Sequence, residues 1–296
     1  PKQGAQFPVT WVSGVQLKLD SKPIVKGLLD PGAFVVIYGP SGSGKSFFTA
    51  DLAQHIAVGA LWRGRRVTQG LVVYVASEAG ASIIKRFVAW RDNRVSDAID
   101  HIPLAILTRG PNLIAGTDFE VLAGQLAEME VQAGLPLLLV VFDTLSRSMP
   151  GGDENSAEDM TRAVRAADYL RDQFGCCTAF VHHTGKDPEK GARGHSALFA
   201  AADLVLRVMN GQAVVEKTRD GVAGEAFPFV LEPVEVGVDS DGDPVITCLL
   251  NASDTAVKGT SSRLPTGRNQ QIVYPLLRGM ATEAGNRSPG SSAIPK

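Results

Sequence analysis

Two glycines five positions apart, a lysine directly after the second and a hydroxyl after that make up Gly39-Pro40-Ser41-Gly42-Ser43-Gly44-Lys45-Ser46. This is the pattern G-x-x-x-x-G-K-[ST], and each part answers a need of a bound polyphosphate. The glycines let backbone N–H groups turn inward on phosphate oxygens, and a helix starting at Lys45 adds the partial positive charge of its N-terminus. The Lys45 ammonium reaches the β- and γ-phosphates, and the Ser46 hydroxyl ligates Mg²⁺. Phe47 follows as the last residue of the cradle. The context is the one such a loop requires, because residues 34–38 read as an apolar strand leading in and residues 45–58 as a helix leading out. The pattern predicts a site for ATP or a close relative together with Mg²⁺. The competing reading is a chance glycine-rich turn.

Leu137-Leu138-Leu139-Val140-Val141-Phe142-Asp143-Thr144 reads as a hydrophobic strand ending in a carboxylate. Asp143 would hold the Mg²⁺ water shell opposite Ser46. Taken alone, the run is equally a strand followed by an Asp-capped turn. Glu78 lies just past the run 71–75, at the carboxyl edge of a parallel sheet, where ligands bind. Hydrolysis needs a group there that activates or orients water, although a lone glutamate after a strand is usually solvated. His182-His183 closes a further apolar run at the same edge, where an imidazole could sense the γ-phosphate. Zinc is the competing use, but no third ligand lies nearby at metal spacing. Arg86, a few residues after Glu78 on the following helix, could approach the site, with a solvent-facing position the favoured reading.

These side chains need a scaffold that gathers strand ends. The runs 34–38, 71–75, 137–142 and 176–181 are continuously apolar rather than alternating, so both their faces are covered. Between them, residues 45–58, 81–90, 119–131 and 157–174 carry helical periodicity. The last places Met160, Ala163, Ala167, Leu170 and Phe174 on one side, with Ser156 and Asp159 as a cap at its start. Strand, helix and strand in this order imply right-handed crossovers, hence an α/β fold with a mainly parallel twisted sheet and helices on both faces. From residue 204 the pattern changes to 204–208, 214–217 and 226–236, separated by Asn210-Gly211 and Asp220-Gly221, which predicts late antiparallel hairpins. Beyond Gly237 the chain is polar and rich in Gly, Ser and Pro, with a short helical stretch at 269–280 and a disordered end. The expected organisation is an N-terminal segment (1–22), a core (23–238) and a C-terminal tail (239–296).

Composition narrows the classes further. With 296 residues, 44% hydrophobic and 20% charged, the chain can bury a full-size core and is not mostly disordered. Its formal net charge of -2 gives no globally basic face, so any nucleic-acid contact falls to local loops. Three cysteines, two of them adjacent (Cys176, Cys177), offer neither a disulfide framework nor metal spacing. They read as buried small apolar residues in a reducing, cytoplasmic setting. No apolar run reaches the ~18 residues of a membrane span, and no signal-peptide pattern is visible, so no membrane partner is expected.

Taken together, the P-loop, Ser77-Glu78, Phe142-Asp143-Thr144, His182-His183-Thr184-Gly185-Lys186, Arg193-Gly194-His195-Ser196-Ala197 and Lys217-Thr218-Arg219-Asp220-Gly221 with Gly224 resemble the RecA-like hexameric helicases. The likeness is to the plasmid RepA-type replicative helicases and their phage and mobile-element relatives in particular, over residues 23–236. The resemblance implies a RecA-like P-loop NTPase core. It implies that Glu78 activates the attacking water, that His183 couples the γ-phosphate to DNA, and that Lys217 and Arg219 act on the neighbouring subunit's nucleotide. Without it, Lys217 and Arg219 are surface charges on a hairpin. An arginine supplied across an interface stabilises charge developing on the transferred phosphoryl group. Such a head-to-tail contact closes into a ring, here a homo-hexamer. The loops 146–155 and 184–193 correspond to those lining the channel, with Arg147, Lys186, Lys190 and Arg193 as candidate contacts to single-stranded DNA. Asp153 and Glu154 in the first loop weigh against this.

Three activities fit these residues. One is an ATP-hydrolysing hexameric DNA helicase or translocase acting on single-stranded DNA in replication. Another is a RecA-like ATPase that serves as a nucleotide switch, loader or recombination factor without unwinding. A small-molecule kinase shares the P-loop, but it should carry an arginine-bearing lid in cis, and none is visible. The resemblance is to the compact type, for which no primase-recruiting N-terminal domain of the kind found in larger replicative helicases is expected.

Overall fold

In β1 (Phe34–Gly39), Val35 and Ile37 join one hydrophobic cluster while Phe34 and Val36 join another. Successive strand residues point to opposite faces, so a run that is apolar at every position must be covered on both sides. The computed structural model describes residues 11–14, 22–78, 80, 82–95, 101–116, 118–183, 196–219 and 221–254. The same division recurs in β2 (Leu71–Ala76) and β4 (Leu137–Asp143), where Val72, Tyr74, Leu139 and Val141 face one layer and Val73, Val75, Val140 and Phe142 the other. The first layer is built by α1 (Lys45–Val58) and α2 (Ser82–Arg94). The second is built by α3 (Asp118–Ala133), α4 (Ala157–Phe174) and α5 (Ser196–Ala201).

The remaining strands are β3 (Leu104–Leu107), β5 (Cys177–His183), β6 (Leu204–Met209), β7 (Gln212–Thr218), β8 (Ala226–Val238) and β9 (Pro244–Ala252). They form one sheet in the order β3-β2-β4-β5-β1-β6-β7-β8-β9. Pairing is parallel from β3 to β6 and antiparallel from β6 to β9. This is the expected α/β, RecA-like core with a mainly parallel sheet and late hairpins. Ser156 caps α4 as the sequence suggests, its Oγ accepting the Asp159 N–H at 3.3 Å, and Gly175 ends the helix in the left-handed conformation. All three cysteines are buried.

Two strands depart from the sequence reading. The sequence pattern predicts neither β3 nor β9, and β9 extends the sheet to residue 252, into the stretch that reads as a polar tail. The Asp239–Asp243 turn reads as the start of a tail, but it closes a long hairpin. That hairpin folds back over α1 and α2. Phe48 of α1 packs against the rings of Phe227 and Phe229 of β8, at 6.4 and 6.0 Å, and Leu249 packs with Ala89 and Trp90 of α2. Enclosure from several sides explains why α1 is buried nearly all round, Thr49, Asp51 and Gln54 included, rather than on one stripe. Residues 255–296, including the helical stretch expected at 269–280, lie outside the described residues.

Parallel pairing aligns the carboxyl ends of β1, β2, β4 and β5 on one edge, so Gly39, Glu78, Asp143 and His183 converge. β7 runs the other way, and Thr218 pairs with Leu204 at the amino edge. One β1 length separates the two edges, roughly 20 Å at 3.3 Å per residue.

Candidate nucleotide site

The loop from Gly39 to Gly44 is shaped by close approach. A Cβ on Gly39 would lie 2.1 Å from the Val208 carbonyl oxygen, so only glycine lets β1 end against β6. Gly44 has φ +94, and a Cβ there would meet the Phe229 ring at 3.0 Å. Gly44 is also the N-cap of α1, and no side chain caps that helix. The first N–H groups of α1 are therefore left for a ligand, in the arrangement that favours an anion. Ser43 Oγ is buried in the loop without a hydrogen-bond partner among the described residues.

Lys45 is 4% exposed. Its Nζ donates to the Gly39 carbonyl at 2.9 Å and the Pro40 carbonyl at 2.8 Å, and lies 3.1 Å from His183 Nδ1. An ammonium only donates, so Nδ1 is the acceptor and the ring proton sits on Nε2. That Nε2 donates to Glu78 Oε2 at 3.2 Å. Lysine, histidine and glutamate thus form one chain of hydrogen bonds from three separate elements. Burial pushes the Lys45 ammonium down to about 8, against the opposing pull of Asp143 and Glu78. Partial burial works against the charge on Glu78. Contacts from His183 and Thr144 and the Arg147 charge outweigh it and hold the carboxyl below its ordinary range.

Asp143 is 3% exposed and accepts the Tyr74 hydroxyl at 2.6 Å. Burial raises its pKa, opposed by hydrogen bonds from Tyr74 and Ser46 and by the Arg86 charge. The contact with Ser46 puts a hydroxyl and a carboxylate together beside the loop, oxygen donors of the kind Mg²⁺ prefers. His182 is fully buried, and adjacent strand residues point to opposite faces, so the two imidazoles do not share one ion.

Arg86 corrects the sequence reading. It is half-buried rather than solvent-facing, with its guanidinium 4.0 Å above the Phe47 ring and its charge felt at Asp143 and Tyr74. The signal lay in its helical spacing: Ile83, Phe87 and Trp90 are buried on the same stretch of α2, and Arg86 flanks that face.

The other predicted residues lie apart. Arg147 is exposed on a 3₁₀ turn just after β4, close enough to act on Glu78. Lys186, Lys190 and Arg193 lie outside the described residues. Lys217 Nζ donates to the Phe199 and Ala200 carbonyls of α5 at 2.8 and 2.9 Å. Arg219 is 66% exposed beside Asp203. Both are at the amino edge of the sheet, too far to touch phosphates held by their own loop. No helix among the described residues is long and apolar enough to cross a membrane.

Comparisons agree with this architecture. The solved structure of the ATPase domain of G40P is similar over 68% of this chain and 82% of that one, at 14% identity and a TM-score of 0.50, which is a likeness of fold. No curated protein sequence matches. A family model described as AAA domain matches residues 5–189, well over half of the chain, and the chain belongs to that family.

Proposed function

We propose that this chain is a Mg²⁺-dependent ATPase that works as a homo-hexameric ring on single-stranded DNA, in the manner of a RepA-type replicative helicase or translocase. The observation that carries the reading is the hydrogen-bonded chain Lys45–His183–Glu78 at the mouth of the P-loop. It joins the group that meets the terminal phosphates to a carboxylate able to take a proton.

In this reading the loop from Gly39 to Ser46, with Phe47 behind it, holds the triphosphate through backbone N–H groups and Lys45. Ser46 and Asp143 hold Mg²⁺, which when bound supplies the charge that neutralises phosphate oxygens. Glu78, kept ionised by its neighbours, orients water and accepts its proton. His183 lies between Lys45 and Glu78 at the end of β5. Loss or gain of the terminal phosphate therefore changes what Lys45 offers His183, and the change passes to the residues after β5. Those residues include Lys186, Lys190 and Arg193, which with Arg147 would follow a DNA backbone.

The place of Lys217 and Arg219 supports action in trans. At the edge remote from their own P-loop they can serve a nucleotide only by reaching a neighbour. A reading without DNA, as a nucleotide-switched loader or recombination factor, draws support from the acidic residues Asp153 and Glu154 beside Arg147.

ATP hydrolysis measured against protein concentration, with and without single-stranded DNA and alongside particle mass, tests the proposal. Turnover that rises with ring formation and again with DNA is expected. Turnover indifferent to DNA overturns the helicase reading in favour of the switch, and full turnover by a monomer overturns the ring.

A further inference from the structure

At the amino edge of the sheet a second charged cluster surrounds Asp203, at the turn into β6. Its Oδ2 accepts the Phe34 N–H at 2.9 Å and Arg171 Nη2 at 3.1 Å. Its Oδ1 stands 2.9 Å from Arg219 Nη2, and its carbonyl accepts the Arg219 backbone N–H at 2.9 Å. The two arginines differ in freedom. Arg171, 21% exposed, also pairs with Asp168 at 2.8 Å and donates Nε to the Gly32 carbonyl, so it is held on three sides. Arg219, 66% exposed, has Asp203 as its one ion-pair partner among the described residues. Both arginines line a groove of about 250 Å³ with Gly27, Pro31 and Thr218.

We infer that Asp203 is a positioning residue for Arg219. It holds the Arg219 Nη2 end by charge, close to where its carbonyl fixes the Arg219 backbone, and leaves the other N–H groups available to a nucleotide of an adjoining subunit. A guanidinium carries five donors, so a carboxylate placed at one Nη restrains the group without consuming the rest. Arg171 and the Phe34 N–H, both at Oδ2, keep the Asp203 charge partly compensated when Arg219 moves away. The Arg219 end of the pair is 66% exposed and screened by solvent, which weakens a contact that must break and re-form. The inference rests on the reading of Arg219 as a group supplied in trans.

Asp203→Asn is the test, because it keeps the shape and an acceptor for Phe34 N–H while removing the charge that orients Arg219. Turnover at saturating ATP is expected to fall about two- to tenfold, the fold-change matching loss of order in one rotamer-rich side chain. KM and the affinity for a non-hydrolysable triphosphate should stay at wild-type values. Mixing these subunits with Glu78→Gln subunits, which carry an intact Asp203 and Arg219, should restore turnover at the mixed interfaces. In an Arg219→Ala background, Asp203→Asn should add no further loss. If Asp203→Asn does not fold, Asp203→Glu, which keeps the charge but lengthens its reach, goes through the same series. Unchanged turnover, a defect that mixing does not relieve, a shift confined to KM, or losses that multiply with Arg219→Ala each overturn the inference. Wild-type turnover by Arg219→Ala alone overturns the trans reading beneath it instead.

Discussion

Triphosphate affinity should carry the titration of Lys45. The ammonium is buried and its pKa lies at about 8 in the ligand-free site. Binding requires it charged, so the apparent dissociation constant should scale as one plus ten raised to the difference between pH and 8. That weakens binding roughly tenfold between pH 7 and pH 9, or ~1.4 kcal/mol. The sign for stability is the opposite. The folded protein holds fewer protons on Lys45 than the unfolded chain between pH 8 and the ordinary lysine value of 10.5, so ligand-free protein gains stability as pH rises through that window. The full relief is about 3 kcal/mol. The assay is calorimetric titration of a non-hydrolysable triphosphate with Mg²⁺ at fixed ionic strength from pH 7 to 9.5, in two buffers of different ionisation enthalpy to count protons taken up. The wild type should take up a proton above pH 8, and Lys45→Ala should bind weakly and without that slope. A flat wild-type profile, or the same slope in Lys45→Ala, refutes the placement of the ammonium against the phosphates.

Other expectations bear on the site and on the fold. Glu78→Gln should bind triphosphate normally and lose about 10²- to 10⁴-fold in turnover, read by comparing single-turnover hydrolysis with equilibrium binding. Arg219→Ala should abolish most multiple-turnover hydrolysis and recover in rings mixed with Glu78→Gln subunits; an unrelieved defect would assign Arg219 to structure. Gly44→Ala, which strains a φ of +94 and presses on Phe229, should lower stability by about 1–2 kcal/mol and weaken nucleotide binding, both measurable by chemical denaturation with and without ligand. A chain ended at residue 243 removes β9 with its buried Cys248, Leu249 and Leu250, and should lose about 5 kcal/mol or fail to fold. Wild-type stability of that shortened chain would mean the last hairpin is not part of the core.

The place of the P-loop between β1 and α1 was legible because its parts are consecutive. Glycine spacing, one lysine and one hydroxyl specify the loop conformation and the charge it presents, and the flanking apolar run and helix follow from local periodicity. The α4 cap at Ser156 was readable for the same reason. Strands apolar on both faces announced a covered parallel sheet, and from that the carboxyl edge as the place where Glu78, Asp143 and His183 meet. β3 is not legible because its four residues carry too little pattern, and β9 is hidden because the acidic Asp239–Asp243 turn reads as the start of a tail. Arg86 looked like a solvated helix residue until the fold brought α2 beside Phe47. The direction of the Lys45–His183–Glu78 chain, and the pairing of Arg219 with Asp203 at the far edge, had no local signal at all. Each joins residues more than ten positions apart, through contacts that exist only after crossover helices and antiparallel hairpins have set the strand order. Short-range spacing records which groups can do chemistry; hydrogen bonds and burial between distant segments decide which of them meet, and with what charge.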